Sequence, residues 1–231
     1  MLCQIAELIA EIPAADGLAD RCRDYLFPES TGADIIIRTD LYRRGNYDPR
    51  LPETTVAYME SAYQFYLQLL QFDGFYLHSS AVVRDGKAYL FSGNPGAGKS
   101  THTRLWQSTF GQEQCCIIND DKPAMRRIDG KWYAYGTPWC GKDGINQNRK
   151  APIAGVCFLK KASENRIRRL DSAEAMHKVL SQTIYKFQDV EQLDLLLKHL
   201  ELFLQEVPVF ELENLPEPAA ARLSYETMCC F

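Results

Sequence analysis

The chain predicts an α/β fold built on a mixed sheet, in which an antiparallel hairpin feeds a phosphate loop and helices pack around the strands. Three stretches carry that expectation. Gly93-Asn94-Pro95-Gly96-Ala97-Gly98-Lys99-Ser100 fits the pattern G-x-x-x-x-G-K-[ST] in full, with apolar Ala88-Tyr89-Leu90-Phe91 running into it and a helical pattern leaving from Thr101. Upstream, strand-like runs at 75–83 and 87–92 flank Arg84-Asp85-Gly86, a hairpin turn signal. Downstream, the short apolar run Cys115-Cys116-Ile117-Ile118 ends in Asn119-Asp120-Asp121.

Composition bounds the rest. At 231 residues, the chain is long enough to bury a full core, and with 46% hydrophobic and 24% charged residues it is ordinary for a globular protein. A formal net charge of −4, with no long Lys/Arg run, argues against nucleic acid as a partner. No apolar run approaches the ~20 residues that span a bilayer, so no membrane partner is expected. The first residues, Met1-Leu2-Cys3-Gln4-Ile5-Ala6-Glu7, carry no basic segment and place an acid where a signal peptide is apolar, which points to a cytoplasmic protein. In that compartment the eight cysteines are expected as thiols. The adjacent pairs Cys115-Cys116 and Cys229-Cys230 include no Cys-x-x-Cys and make no joint metal site.

In chain order, residues 1–75 read as a small α/β N-terminal region and 76–231 as the phosphate-loop domain. Ile5, Leu8, Ile9 and Ile12 have helical spacing closed by Pro13, but a strand of a small sheet is equally compatible. Asp34-Ile35-Ile36-Ile37-Arg38 reads as a buried strand. Residues 54–71 read as a helix with an apolar stripe of Val56, Met59, Tyr63, Tyr66, Leu67 and Leu70, ended by Asp73-Gly74. Beyond the acidic turn, strands at 123–128 and 131–135 flank Asp129-Gly130, a second hairpin. Residues 136–150 form a Gly-rich loop with the cations Lys142, Arg149 and Lys150, too long to be a mere turn. A strand at 153–160 is expected to pair with 166–170. Ser172 is expected to cap a helical region over 173–206, broken near Gln188-Asp189, in which His177 and His199 read as surface or core residues. A strand at 208–212 and a helix at 219–228 close the pattern.

The motif's chemistry is specific. Its glycines let backbone N–H groups close on a polyphosphate, Lys99 reaches the β- and γ-phosphates, and the Ser100 hydroxyl can ligate Mg²⁺. A helix starting there adds its N-terminal dipole. Two carboxylates at one strand end, Asp120 and Asp121, are costly to bring together unless a cation or shared proton compensates, and beside a nucleotide that cation is Mg²⁺. A solvated Asn-Asp-Asp turn is the competing reading.

Taken together, a hairpin entering the phosphate loop, a strand ending in Asp120-Asp121 and a Gly-rich cationic loop resemble the HPr serine kinase/phosphorylase family, whose core is similar to that of phosphoenolpyruvate carboxykinases. The resemblance covers roughly 76–170. It is similar in length to short stand-alone members, among them kinases of peptide-modification systems that phosphorylate a peptide serine. It implies a P-loop core of that type and the cofactors ATP and Mg²⁺. It also implies a hydroxyl-bearing peptide or protein acceptor, and a homo-oligomer. His78 stands where the family carries a histidine near the active site. By analogy Asp120 is the base and Asp121, with Ser100, faces the metal; the two aspartates could exchange roles. Arg149, then Lys142, is the choice for the cation that neutralises the transferring phosphoryl group. Departures are visible: Thr101-His102 follows the loop where the family carries an acid, residues 1–75 are too short for its N-terminal domain, and Thr137-Pro138-Trp139-Cys140 replaces its later acidic signature. These departures leave a small-molecule kinase and a non-catalytic nucleotide-binding module as alternatives to a peptide or protein kinase.

Overall fold

The computed structural model describes residues 1–14, 18–29, 32–186 and 188–230. Among them, β1 (Leu2–Ile5) and β2 (Leu8–Glu11) form a hairpin, and β3 (Ile35–Ile36) joins β2 in parallel. The strand alternative therefore holds for the N-terminus. Burial there alternates, with Cys3, Ile5, Leu8 and Ala10 inward and Gln4 and Glu11 outward, so the period of two prevails over the apparent helical spacing. After the short α1 (Leu18–Arg21) comes α2 (Glu53–Leu69), which ends through a 3₁₀ turn at Asp73, a residue in the left-handed region. Of the expected stripe Val56, Tyr66, Leu67 and Leu70 are buried, Phe65 and Leu69 join them in the core, and Met59 is 39% exposed.

The second sheet has nine strands. β4 (Gly74–Tyr76) pairs with β8 (Ala124–Ile128), so the apolar run from Phe75 breaks at Leu77-His78 and passes between two parts of the sheet. β5 (Ser79–Arg84) and β6 (Lys87–Ser92) are the predicted hairpin. Asp85 and Gly86 both have positive φ, as its two-residue turn requires. α3 (Lys99–Phe110) and β7 (Cys116–Asn119) follow, then β9 (Lys131–Tyr135), paired with β8. The long β10 (Lys150–Lys161) runs antiparallel to β9 at its start and parallel to β6 further on. β11 (Arg166–Arg169) pairs with β12 (Val209–Asn214) rather than with β10, as its proximity in sequence had led us to expect. The reason is that β12 takes the edge of β10 in parallel, leaving its own outer edge to β11.

Both faces of this sheet are covered. Along β6, Ala88 and Leu90 face a core shared with α4 (Ser172–Leu180) and α5 (Val190–Glu206), through Val179, Leu196, Leu200 and Phe203. Tyr89 and Phe91 face the other way, onto Trp106 of α3 and Ala221 and Met228 of α6 (Pro218–Met228). A strand apolar at every position is the sequence mark of a sheet buried on both sides. The cap of α4 is Asp171, not Ser172: Asp171 accepts from the Glu174 N–H, and Glu174 answers it in a capping box. Phe187, inside the expected helical region, lies outside the described residues, and α4 and α5 are separate helices around it. A third core joins the N-terminal sheet and α2 to Tyr76, Ala124, Tyr135 and Trp139. All eight cysteines are free thiols. Among the described residues, no helix is long and apolar enough to cross a membrane.

Candidate active site

β6, β7, β10 and β12 run parallel, because β5 is antiparallel to both β6 and β7 while β10 is parallel to β6 and β12. Their carboxyl ends therefore share one edge of the sheet, the edge at which open α/β sheets bind ligands. The phosphate loop leaves β6 there and Asp120 leaves β7.

The loop turns through Gly96 and Gly98, whose φ values of 79° and 102° suit glycine, and Gly98 caps α3. Asn94 accepts the Ala97 N–H at 3.0 Å, closing the crest on which Asn94, Pro95 and Gly96 are exposed. Gly93 at the root is buried against β10, where an added Cβ would lie 3.1 Å from the Leu159 carbonyl. Lys99 folds back to donate to the Gly93 carbonyl at 3.0 Å, and burial lowers its pKa against the opposing charge of Asp121. Ser100 and Thr101 follow in the first turn of α3.

Across a cleft of about 680 Å³ from Lys99 and Ser100 stand Asp120 and Asp121. Their environments separate them. Asp120 is buried; burial raises its pKa, although its Oδ1 accepts the Gly141 N–H at 2.5 Å. Burial also opposes the charge of Asp121, but there it is outweighed. His78 Nε2 sits 2.9 Å from Oδ1 and the Lys122 ammonium pairs with Oδ2, which together hold this carboxyl well below the usual range. The surroundings thus favour the protonated form of Asp120 and the ionised form of Asp121.

Asn119 builds this turn. Its side-chain oxygen accepts the N–H groups of Asp121 and Lys122, and its amide donates to the carbonyls of Thr137 and Trp139. Thr137 donates to the Lys122 carbonyl, which also accepts from Tyr66, and Trp139 donates to Ser61 of α2. The Thr137-Pro138-Trp139-Cys140 stretch is therefore the buried root of the long loop, and it aims Gly141 at Asp120.

The structure brings Lys99, Ser100, Thr101, Asp120, Asp121 and Lys142 to the cleft, with Gly96 and Gly98 on its rim; His78 supports Asp121 from behind. It does not bring Arg149. That guanidinium is exposed, with its Nη1 3.6 Å from Cys116 Sγ at the start of β7, whereas Asp120 follows that strand's end. The chain has already returned to the sheet by then, since Gln147 bonds Ile118 and the Arg149 carbonyl accepts from Gly136. Lys122, Arg21 and Tyr58 are among the cleft residues that had no assignment in the sequence. Lys122 carried a signal, a cation directly after two acids. Arg21 and Tyr58 carried none, being remote in sequence: Arg21 reaches Tyr58 OH at 3.2 Å and Cys140 Sγ at 2.9 Å, and Tyr58 OH donates to the Cys140 carbonyl at 2.7 Å.

Residues 50–212 match the family described as "ScmC: SynChlorMet cassette protein ScmC". This chain belongs to the ScmC family. The ScmC match takes in the phosphate loop, the acidic turn and the whole of the long loop. A curated relative, the DNA repair protein RadA of Escherichia coli K12, is 25% identical over 95 residues, which are 41% of this chain and 20% of that protein's length. Among solved structures, the Hpr(Ser) kinase/phosphatase from Coxiella burnetii aligns over 66% of this ScmC-family chain and 97% of its own, at 11% identity and a TM-score of 0.38.

Proposed function

We propose that this chain is an ATP- and Mg²⁺-dependent phosphotransferase that moves the γ-phosphoryl group onto the hydroxyl of a serine in a peptide or protein. The observation that carries it is the pair of aspartates across one cleft from the phosphate loop, Asp120 buried on the Gly141 N–H and Asp121 bonded to His78 and Lys122, two settings that push the carboxyls in opposite directions. Such a split marks an acid/base assignment.

Lys99 and backbone N–H groups of the loop hold the phosphates, Pro95 having none and Ala97 giving its own to the Asn94 carbonyl. Hard oxygen donors at Ser100 and Asp121 fit Mg²⁺. Among the described residues, no group of three His, Cys, Asp or Glu side chains is placed to hold a metal, so phosphate oxygens would complete its shell. Bound there, the ion would supply charge neutralisation between the β- and γ-phosphates. Asp120 accepts the proton as the acceptor's O–H bond breaks. The new O–P bond forms at the γ-phosphorus, and the bridging P–O bond breaks to leave ADP. Lys142, on the cleft side of the long loop, replaces Arg149 as the cation for the transferring group. Arg21 and Tyr58 form the wall that an acceptor segment would meet. Membership of a family described as a cassette protein supports an acceptor encoded alongside the chain.

The His78–Asp121 bond favours one second reading, in which Asp121 takes the proton and His78 orients it. The deciding experiment incubates the purified chain with Mg²⁺ and γ-labelled ATP and an extract of its native cells, divided into metabolite, peptide and protein fractions. Acid-stable label in peptide or protein, absent with Asp120→Asn, is the expected result. Label confined to metabolites would replace the acceptor class, and no transfer from bound ATP would overturn the enzyme reading.

A further inference from the structure

A second cavity, of about 430 Å³, lies on the other side of the phosphate loop and shares Gly96, Gly98 and Thr101 with the catalytic cleft. It is walled by Leu105, Ala162 and Leu215, and it sits beyond the carboxyl ends of β10 and β12, on the same edge of the sheet. Two buried polar side chains line it, and each has an atom without a partner among the described residues: His102 Nδ1 and Asn214 Oδ1.

The identity of both atoms as acceptors follows from their surroundings. Ser224 Oγ has one proton, given to the Ala221 carbonyl at 3.0 Å, and it accepts the Trp106 indole N–H at 3.0 Å. With that proton on the Ala221 carbonyl, the remaining bond, between Ser224 Oγ and His102 Nε2 at 3.1 Å, is donated by the histidine. That leaves Nδ1, buried and without a partner among the described residues, as the ring's acceptor. The Asn214 amide nitrogen is directed to the Leu215 carbonyl at 3.4 Å, which leaves its oxygen as the second acceptor. Buried acceptors without donors are costly, and a native structure keeps few of them.

We infer that this cavity is the nucleoside subsite of the phosphate loop: the apolar walls take a purine base, and His102 and Asn214 accept from the donors a nucleoside carries, an exocyclic amine and ribose hydroxyls. The inference rests on the nucleotide reading above and deepens it. Thr101, common to both cavities, stands where the ribose joins the phosphates. Lys161 is exposed at the entrance.

Calorimetric titration of the full chain with Mg²⁺ and either ATP or tripolyphosphate tests it. The wild type is expected to bind ATP at least about tenfold more tightly than tripolyphosphate. Ala162→Trp, which fills the cavity from its half-exposed side, should bring ATP down to the tripolyphosphate level and leave tripolyphosphate binding unchanged. Equal wild-type affinities, or an Ala162→Trp variant that keeps its ATP affinity, would overturn the subsite while leaving the phosphate loop intact. Binding of neither ligand by the wild type would overturn the nucleotide reading, and the subsite with it. Should Ala162→Trp lose both ligands, Asn214→Leu decides, since it adds no bulk: selective loss of ATP supports the subsite, and any other outcome refutes it.

Discussion

His78 Nε2 lies 2.9 Å from Asp121 Oδ1, and this bond ties the residue just before the hairpin to the acidic turn facing the phosphate loop. With Lys122 on the other carboxylate oxygen, it favours the ionised form of Asp121 against the burial that opposes its charge. Asp120, one residue earlier, lacks both partners and is raised by burial.

The acid limb of kcat/KM therefore reports which aspartate takes the proton. Measured with saturating Mg²⁺ and ATP, it is expected above the ordinary aspartate value of about 3.9, because ionised Asp120 is disfavoured by burial. A limb below that value would transfer the role to Asp121.

Lys99→Ala and Asp120→Asn should each cut turnover by about 10²-fold or more. They should differ in binding. Lys99→Ala also weakens ATP, whereas Asp120→Asn leaves the ATP dissociation constant nearly unchanged. Full activity in either variant would refute the assignment.

Gly141 matters through space rather than flexibility. A Cβ there would lie 2.8 Å from Asp120 Oδ2, so Gly141→Ala must displace the carboxylate that the Gly141 N–H holds. Turnover is expected to fall by about 10²-fold with ATP affinity retained, since small misplacements of a catalytic group are that costly. Kinetics and calorimetry on the same preparation separate this from misfolding.

Lys142→Ala should lower turnover while Arg149→Ala leaves it within about twofold, because only Lys142 lines the cleft. The reverse ranking would restore Arg149 to the site.

Buried His102 links stability to acidity. Its pKa falls from 6.5 to about 4 on folding, so between those values the unfolded chain binds a proton that the folded chain refuses. Stability is thus expected to drop by about 3 kcal/mol as pH falls from 6.5 to 4. Denaturant melts of the wild type and His102→Gln across that window should show a flatter profile in the variant. Parallel profiles would refute the link.

The phosphate loop, the hairpin and the acidic turn were legible because each rests on local rules: a spaced glycine motif, a two-residue turn and a strand ending in polar residues. Pairing across distance was not. The run 166–169 carries nothing that distinguishes β10 from β12 as its neighbour, and the choice is made by which edge remains free. Arg149 failed as a site residue for a related reason. Its loop returns to the sheet at Gln147, two residues earlier, and no residue spacing announces that return. Arg21 and Tyr58 reach the cleft only because the N-terminal sheet and α2 pack against Trp139, a tertiary event with no local signature.

Gly136 stands at the neck of the long loop. A Cβ at that position would fall 1.9 Å from the Gln147 carbonyl oxygen and 2.6 Å from that of Ile118, so three backbones are drawn together at the loop's neck. A neck this tight prevents the segment from swinging as a whole flap. Its tip is tied to α3 by the half-exposed Arg104–Asp143 ion pair, a kind of contact worth about 0–1 kcal/mol. Lys142, beside Asp143, therefore sits on the loosely tied tip of the loop, while Gly141, nearer its buried root, holds Asp120 through its N–H.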